Sequence, residues 1–294
     1  MFDSFSASNV CGTFFLLLYL FNKKANIMQK DTAGQTVLIT GASSGIGYEL
    51  ARCFAADGHH LVLVARQQDR LHIVARELST QYGIQATAIA KDLFRPEAAE
   101  ELYREVQSKG LQVDILVNDA GQGEWGEFHT TDLQRQLDII QLNISSLTAL
   151  THLFLQDMLA KGYGKVLNLA SIASTSANPL LGVYAATKAY VLSFSEALHN
   201  ELEDKNITVT ALMPGATDTD FFNKANMEHT KAGQGSKADA ADVAKAGYEA
   251  LMSGDDKVLP GVKNKIMGGM MNAMLTEEAA ASMARKQMEP AEEK

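Results

Sequence analysis

The chain has 294 residues, 46% hydrophobic and 21% charged, the balance of an ordinary globular protein. A disordered chain is excluded, since it would lack the apolar area to offset its ordering entropy. Five prolines beside 22 glycines also exclude collagen-like or proline-rich linker architecture. The net charge is -9, from 26 basic and 35 acidic side chains, which argues against a nucleic-acid partner. The two cysteines, Cys11 and Cys53, cannot form a disulfide framework and fit a reducing, cytoplasmic compartment. At ~150 residues per domain, the length allows one large or two small domains.

Residues 10–21 form an uncharged apolar run followed by Lys23 and Lys24. A spanning helix needs ~20 predominantly apolar residues, and this run is shorter. Asp3 and the lack of Lys or Arg before the run do not fit a secretory signal. Two readings stay open. The run is a weak membrane anchor that leaves the rest on the cytoplasmic face, or it precedes a true start at Met28. Any membrane contact is expected through residues 10–21 alone.

From residue 35 onward, strands and helices alternate. The spacing predicts strands at 36–40, 61–65, 85–90, 113–117, 165–170 and 208–213, and a short seventh at 258–259. Helices are predicted at 46–56, 68–81, from Pro96 onward, 133–153 and 184–202. In the second of these, Leu71, Val74, Ala75 and Leu78 share one face. Pro96 suits a first helical position, where its missing N–H costs nothing. Near-continuous apolar strands between helices imply a parallel sheet buried on both faces. The expected organisation is an extension at 1–33, one doubly wound α/β domain at 34–261, and a helical Met-rich tail at 262–294. Residues 230–237 read as a mobile loop. Met267, Met270, Met271 and Met274 read as one face of a packing helix.

Gly41, Gly45 and Gly47 link the first strand to the first helix, with Ala42, Ser43, Ser44 and Ile46 between them. Such a loop permits a sharp turn and close backbone approach to a pyrophosphate, which the helix N-terminus then binds. The second strand ends at Arg66 with no acid at the turn. That points to NADP(H) rather than NAD(H), with Arg66 on the 2′-phosphate; a solvated arginine is the alternative. Asp92 is placed for the adenine, or else caps the next helix.

Tyr184 and Lys188 lie four residues apart on one helix face, so phenol and ammonium can converge. A neighbouring cation lowers a phenol pKa and makes Tyr184 a general acid/base for carbonyl–alcohol interconversion. Ser171 follows the fifth strand, at the sheet end where ligands bind, or serves as a turn residue. Asn143 is a low-propensity residue in mid-helix. The seven histidines show no metal-ligand spacing, and no metal is expected.

These residues together resemble the short-chain dehydrogenase/reductase family, in its shorter single-domain branch. The resemblance covers 34–261 and rests on TGASSGIG at 40–47, DL at 92–93, NDAG at 118–121, Asn143, Ser171, YAATK at 184–188 and PGATDT at 214–219. It implies a Rossmann-like fold and a tetrad of Asn143, Ser171, Tyr184 and Lys188. Tyr184 would exchange the proton, Ser171 polarise the carbonyl, Lys188 bind the nicotinamide ribose, and Asn143 support a proton-relaying water. Leu93, Asn118, Ala120 and Gly121 would line the adenosine side. Pro214, Gly215, Thr217 and Thr219 would face the nicotinamide end. The chain departs from the family at Asp119, where a second Asn is usual, which puts the local strand hydrogen bonding in doubt. The family also implies a homodimer or homotetramer. Two rivals remain: a catalytically silent nucleotide-binding sensor or scaffold, and a membrane-tethered lipid or retinoid reductase. Phe221, Phe222 and Met227 form either an apolar lid over a small-molecule substrate or simple packing.

Overall fold

The computed structural model describes residues 34–261 and 276–291. The apolar run at 10–21, Met28 and the methionines from Met267 to Met274 lie outside the described residues. Seven strands are present: β1 (Thr36–Thr40), β2 (His60–Ala65), β3 (Ala86–Ala90), β4 (Ile115–Asn118), β5 (Gly164–Leu169), β6 (Ile207–Leu212) and β7 (Lys257–Val258). Ten α-helices accompany them among the described residues. The first five are α1 (Gly45–Ala56), α2 (Gln68–Tyr82), α3 (Ala98–Ser108), α4 (Leu133–Ile140) and α5 (Leu147–Lys161). The others are α6 (Gly182–Leu202), α7 (Phe221–Lys224), α8 (Lys231–Gln234), α9 (Ala240–Ser253) and α10 (Glu277–Met288).

All strand pairs are parallel, in the order β3-β2-β1-β4-β5-β6-β7. Strand order reverses between β1 and β4, and a crevice opens beyond the carboxyl ends of strands at such a point. The β1–β4 register runs to Thr40 opposite Asn118. The glycine loop and the NDAG segment therefore leave the sheet side by side.

Side-chain alternation along β1 divides the core. Val37 and Ile39 join Leu50, Phe54, Leu71 and Leu78 on one face, with α1 and α2. Leu38 joins Val62, Val64, Leu102, Leu116 and Phe154 on the other, with α3 and α5. A strand buried on both faces has no polar side to offer solvent, which is why the β2 sequence HLVLVA is apolar throughout its middle. Phe54 is fully buried, and truncating it to Ala should cost ~3–5 kcal/mol. These layers hold the carboxyl ends of β1, β4 and β5 in fixed register.

Three local expectations are corrected. Pro96 does not open a helix: a turn intervenes, Ala98 N–H donates to Arg95 O (3.1 Å), and α3 begins at Ala98. The helix expected at 133–153 is α4 and α5 joined by a π-helical turn (Gln141–Ser146), and it continues to Lys161. Residues 230–237 are not a bare loop. Fully buried Thr230 caps α8, accepting the Gly233 N–H at 3.0 Å, and bridges to Pro290. Among the described residues, no helix is long and apolar enough to cross a membrane.

Candidate active site

A cleft of about 1000 Å³ opens at the carboxyl end of the sheet, a volume at the upper end for small-molecule and cofactor sites. Its floor starts at the glycine loop. Gly41 (φ 74°) and Gly45 (φ 60°) adopt left-handed backbone that disfavours other residues. Ser44 precedes α1 in extended conformation, and its side chain makes no capping hydrogen bond. The Gly45 and Ile46 N–H groups that lead α1 are thus left for an anion.

Asp119 gives the glycines a second role. A Cβ at Gly41 would lie 2.6 Å from Asp119 Oδ2, and one at Gly47 2.5 Å from it. The carboxyl is wedged between the two, and the Gly47 N–H donates to it. Asp119 Oδ1 is buried without a partner. Burial pushes this carboxyl up to about 7, against the Lys188 ammonium and the Gly47 N–H, which both lower it. The doubt about local hydrogen bonding is resolved. Thr40 Oγ1 accepts both the Asp119 and Ala120 N–H groups at 3.1 Å, and the strand register is continuous.

Further along, the cleft is lined by Ser43, Arg66, Asp92, Leu93, Ala120 and Gly121. The exposed Arg66 guanidinium lies 5.0 Å from the centroid of the Phe94 ring, and among the described ion pairs it has no carboxylate. Asp92 Oδ1 accepts the Phe94 N–H at 3.3 Å, a turn contact that leaves the residue on the cleft wall. Asn118 departs from expectation. It lies behind the wall, where its Nδ2 donates to Thr151 Oγ1 (3.0 Å) and Asn168 Oδ1 (2.9 Å). At the end of a central strand its side chain meets β5 and α5, so it braces the sheet and does not face the cleft.

At the other end, Ser171 and Tyr184 meet. Ser171 begins a 3₁₀ turn (Ile172–Thr175) and its Oγ accepts the Ala173 N–H at 3.1 Å. Ser174 Oγ donates to Lys188 O at 2.9 Å, tying that turn to α6. Ser171 thus caps the turn, the second of its two readings, and its side chain also lies near enough to the Tyr184 phenol to lower that phenol's pKa. Tyr184 packs against Phe221, with ring centroids 5.0 Å apart. Burial pushes the phenol up to about 12; the Ser171 hydrogen bond works downward, and the charge of Asp119 upward. The expected depression by Lys188 is thus not the dominant effect: Lys188 Nζ is 5.7 Å from the ring centroid. The ammonium donates to Leu169 O at 2.6 Å, and burial brings it down to about 8, with Asp119 opposing.

Lys188 and Asn143 sit together under Gly121. A Cβ there would lie 3.2 Å from Lys188 Nζ and 3.4 Å from Asn143 Oδ1. Asn143 lies in the π-helical turn, a distortion often found at functional sites. Its Nδ2 donates to Gln122 O and Thr187 Oγ1, both at 2.9 Å, and its Oδ1 accepts the Gln122 N–H at 3.0 Å. It thereby braces the segment after NDAG against α6. Pro214, Gly215, Thr217 and Thr219 line the same end of the cleft. The Thr217 hydroxyl donates to Gly215 O at 3.0 Å.

Sequence reasoning missed Phe94, Gln122 and the C-terminal wall, where Ala280, Met283, Ala284 and Gln287 line the cleft. The spacing of those four was a legible signal of one helix face.

The fit of this cleft to a dinucleotide rests on the uncapped α1 terminus, the crowded glycines and the unpaired Arg66. Comparison with known proteins agrees. Residues 35–230 match the profile of the short chain dehydrogenase family. The chain belongs to that family, one of oxidoreductases. A curated relative, the very-long-chain 3-oxoacyl-CoA reductase of Anas platyrhynchos, is 35% identical over 187 residues, 62% of this chain and 59% of the relative. The chain thus spans under two thirds of that protein. A solved short-chain dehydrogenase from Sphingobium yanoikuyae in complex with NADPH is 30% identical, with a TM-score of 0.73 over 82% of this chain and 95% of its own. The L-sorbose reductase of Gluconobacter frateurii, solved with NADPH and L-sorbose, is 28% identical, with a TM-score of 0.70 over 78% of this chain and 96% of its own.

Proposed function

We propose that this chain interconverts a carbonyl and an alcohol on a small molecule, using NADP(H). The observation that carries the reading is that Ser171 and Tyr184 line one end of the cleft that begins at the glycine loop, with the serine near enough to lower the phenol's pKa. A bound nicotinamide supplies or receives the hydride. The chain's own residues handle the proton and the geometry. In the reduction direction Tyr184 gives its phenolic proton to the carbonyl oxygen, and Ser171 donates a hydrogen bond to the same oxygen. A phenol held near 12 is a ready hydrogen-bond donor and a reluctant base, so the oxidation direction depends on added positive charge near the ring. Lys188, mostly charged below about pH 8, is the resident source of that charge.

Three observations support NADP(H) over NAD(H): the β2 end lacks an acid, Arg66 has no carboxylate among the described ion pairs, and similar enzymes were solved with NADPH. Ser43, Ser44 and Gly45 are the proposed pyrophosphate contacts, and Arg66 the 2′-phosphate contact. The 3-oxoacyl and ketose relatives support a ketone as the reacting group. Leu133, Leu137 and Ile140 on α4 and Tyr190 on α6 are exposed, which supports a homo-oligomer. The free thiol of Cys53 fits a cytoplasmic setting.

The test is Tyr184→Phe. It should lower turnover of ketones by ~10²–10⁴-fold while NADPH binding, read by fluorescence titration, stays within about twofold. Turnover like that of the unsubstituted enzyme would refute the assignment.

A further inference from the structure

Helix α10 is built unlike the other long helices. None of its residues is buried. Thr276 caps it, accepting the Ala279 N–H at 3.3 Å. A 12-residue helix of this kind is marginal unless tertiary contacts hold it. Its hold is at the carboxyl end. Trp125 Nε1 donates to Met288 O at 2.7 Å, Lys231 N–H to Glu289 O at 3.0 Å, and Ala291 N–H to His229 O at 2.8 Å. A Lys231–Glu289 ion pair and the Thr230–Pro290 bridge complete the clamp.

The clamp aims one helix face at the cleft. Ala280, Met283, Ala284 and Gln287, at i, i+3, i+4 and i+7, line the same space as Tyr184 and Ser171. Met283 is 45% exposed, so much of its surface is not packed against the protein. Met288 and Tyr184 pack against one apolar cluster of Leu181, Phe222, Ala225 and Met227. Leu181, Phe222 and Met227 of that cluster also line the cleft, so its wall is apolar between Tyr184 and the helix. The lysines that line the cleft beside α10 are engaged elsewhere: Lys224 pairs with Asp220, Lys231 with Glu289 and Lys257 with Glu196, while Arg285 and Lys286 on α10 itself do not line the cleft. Nothing in those contacts reserves a charge for an anionic substituent.

We propose that the inner face of α10, centred on Met283, seats an extended aliphatic arm of the substrate, making it a long-chain ketone whose carbonyl lies at Tyr184. This rests on the carbonyl–alcohol reading above. A flexible, polarizable methionine suits an arm of variable length. Each methylene that enters such a seat should raise kcat/KM by up to about fourfold, the factor for full burial of one CH₂.

The experiment uses the full chain, NADPH and the series 2-butanone, 2-hexanone, 2-octanone and 2-decanone. It compares the unsubstituted protein with Met283→Gln, Met283→Leu and the outward-facing control Arg285→Gln. Trp125, the chain's single tryptophan, lies under the clamp and gives a readout independent of turnover. Its fluorescence is titrated with 2-decanone in the absence of cofactor. The expected result is a kcat/KM that climbs with chain length. Met283→Gln should reduce the 2-decanone to 2-butanone ratio by about tenfold, Met283→Leu should restore it, and Arg285→Gln should leave it unmoved. Saturable Trp125 quenching by 2-decanone should weaken in Met283→Gln. A flat series, or a ratio identical in Met283→Gln, overturns the seat while leaving the carbonyl reading intact. Quenching that depends on Met283 with no turnover of any ketone supports the seat and overturns the carbonyl reading. Absence of both signals overturns both.

Discussion

Replacing Asp119 with Asn should stabilise the protein, and by an amount that depends on pH. The carboxyl is wedged against Gly41 and Gly47 with one oxygen unpartnered, and burial lifts it from 3.8 to about 7. The sign follows from linkage. Below 3.8 the group is protonated in the folded and unfolded chain alike, and its ionisation costs nothing. Between 3.8 and about 7 the unfolded chain releases the proton while the folded chain keeps it. Stability therefore falls by up to ~1.36 kcal/mol per pH unit, then levels off above about 7. The full interval amounts to about 4 kcal/mol, an upper bound because the ionised carboxyl also keeps the Lys188 ammonium charged. Asparagine preserves the shape and can accept the Gly47 N–H, and its amide N–H pair, unpartnered where one carboxyl oxygen now sits, offsets part of the gain. Taking half the bound, about 2 kcal/mol, Asp119→Asn should raise the melting temperature by roughly 4–8 °C at pH 8 for a domain of this size. The gain should shrink steadily to nothing near pH 4. Thermal unfolding of both proteins without cofactor at pH 4, 5, 6, 7 and 8 is the assay. An offset independent of pH, or one that grows toward acid, would refute the reasoning.

Three further outcomes are expected. Arg66→Ala should weaken NADPH by about 10- to 100-fold, the loss of hydrogen bonds to a charged group, and leave NADH unchanged; an unaltered NADPH to NADH ratio in calorimetry would remove Arg66 from the 2′-phosphate. Leu137→Glu, at the centre of the exposed α4 face, should convert an oligomer to a monomer by light scattering, and an unchanged mass would assign that face to solvent. His59 is fully buried with both ring nitrogens unpartnered, and burial holds it below its ordinary 6.5. Its contribution is intact above 6.5 and is lost as pH falls through the depressed value, because the unfolded chain then binds a proton that the folded chain refuses. His59→Phe should flatten the acid limb of a urea-unfolding series below pH 6.5. A limb as steep as before would place the acid sensitivity elsewhere.

What could be read before folding, and what could not, divides along range of interaction. The strands were legible because burial on both faces leaves an apolar signature in β1, β2 and β6 that needs no knowledge of neighbours. The Tyr184–Lys188 spacing was legible because a helix period fixes which residues share a face. Electrostatics at the same residues was not. Lys188 was expected to dominate the phenol, yet its ammonium turns to Leu169 O, and desolvation decides the pKa. No local pattern encodes which carbonyl a lysine finds across 19 residues. Asn118 illustrates the same limit, since a motif position marked it for the cleft and two partners, 33 and 50 residues away, turned it inward.

Asp119 joins these two kinds of information. As one letter in NDAG it is a small departure from the family pattern. In the fold it touches Gly41 and Gly47 through its carboxyl and raises the pKa of both Tyr184 and Lys188 by its charge. An asparagine there would make the same steric demand on the glycines and exert no charge. The carboxyl therefore shifts the two reacting groups in the same direction, toward their protonated forms. The phenol is already protonated at neutral pH, so the consequence is a scarcer phenolate: the pH at which Tyr184 can accept an alcohol proton moves up. Asp119→Asn should therefore shift the alkaline-side rise of alcohol oxidation to lower pH, and an unchanged pH profile would refute it.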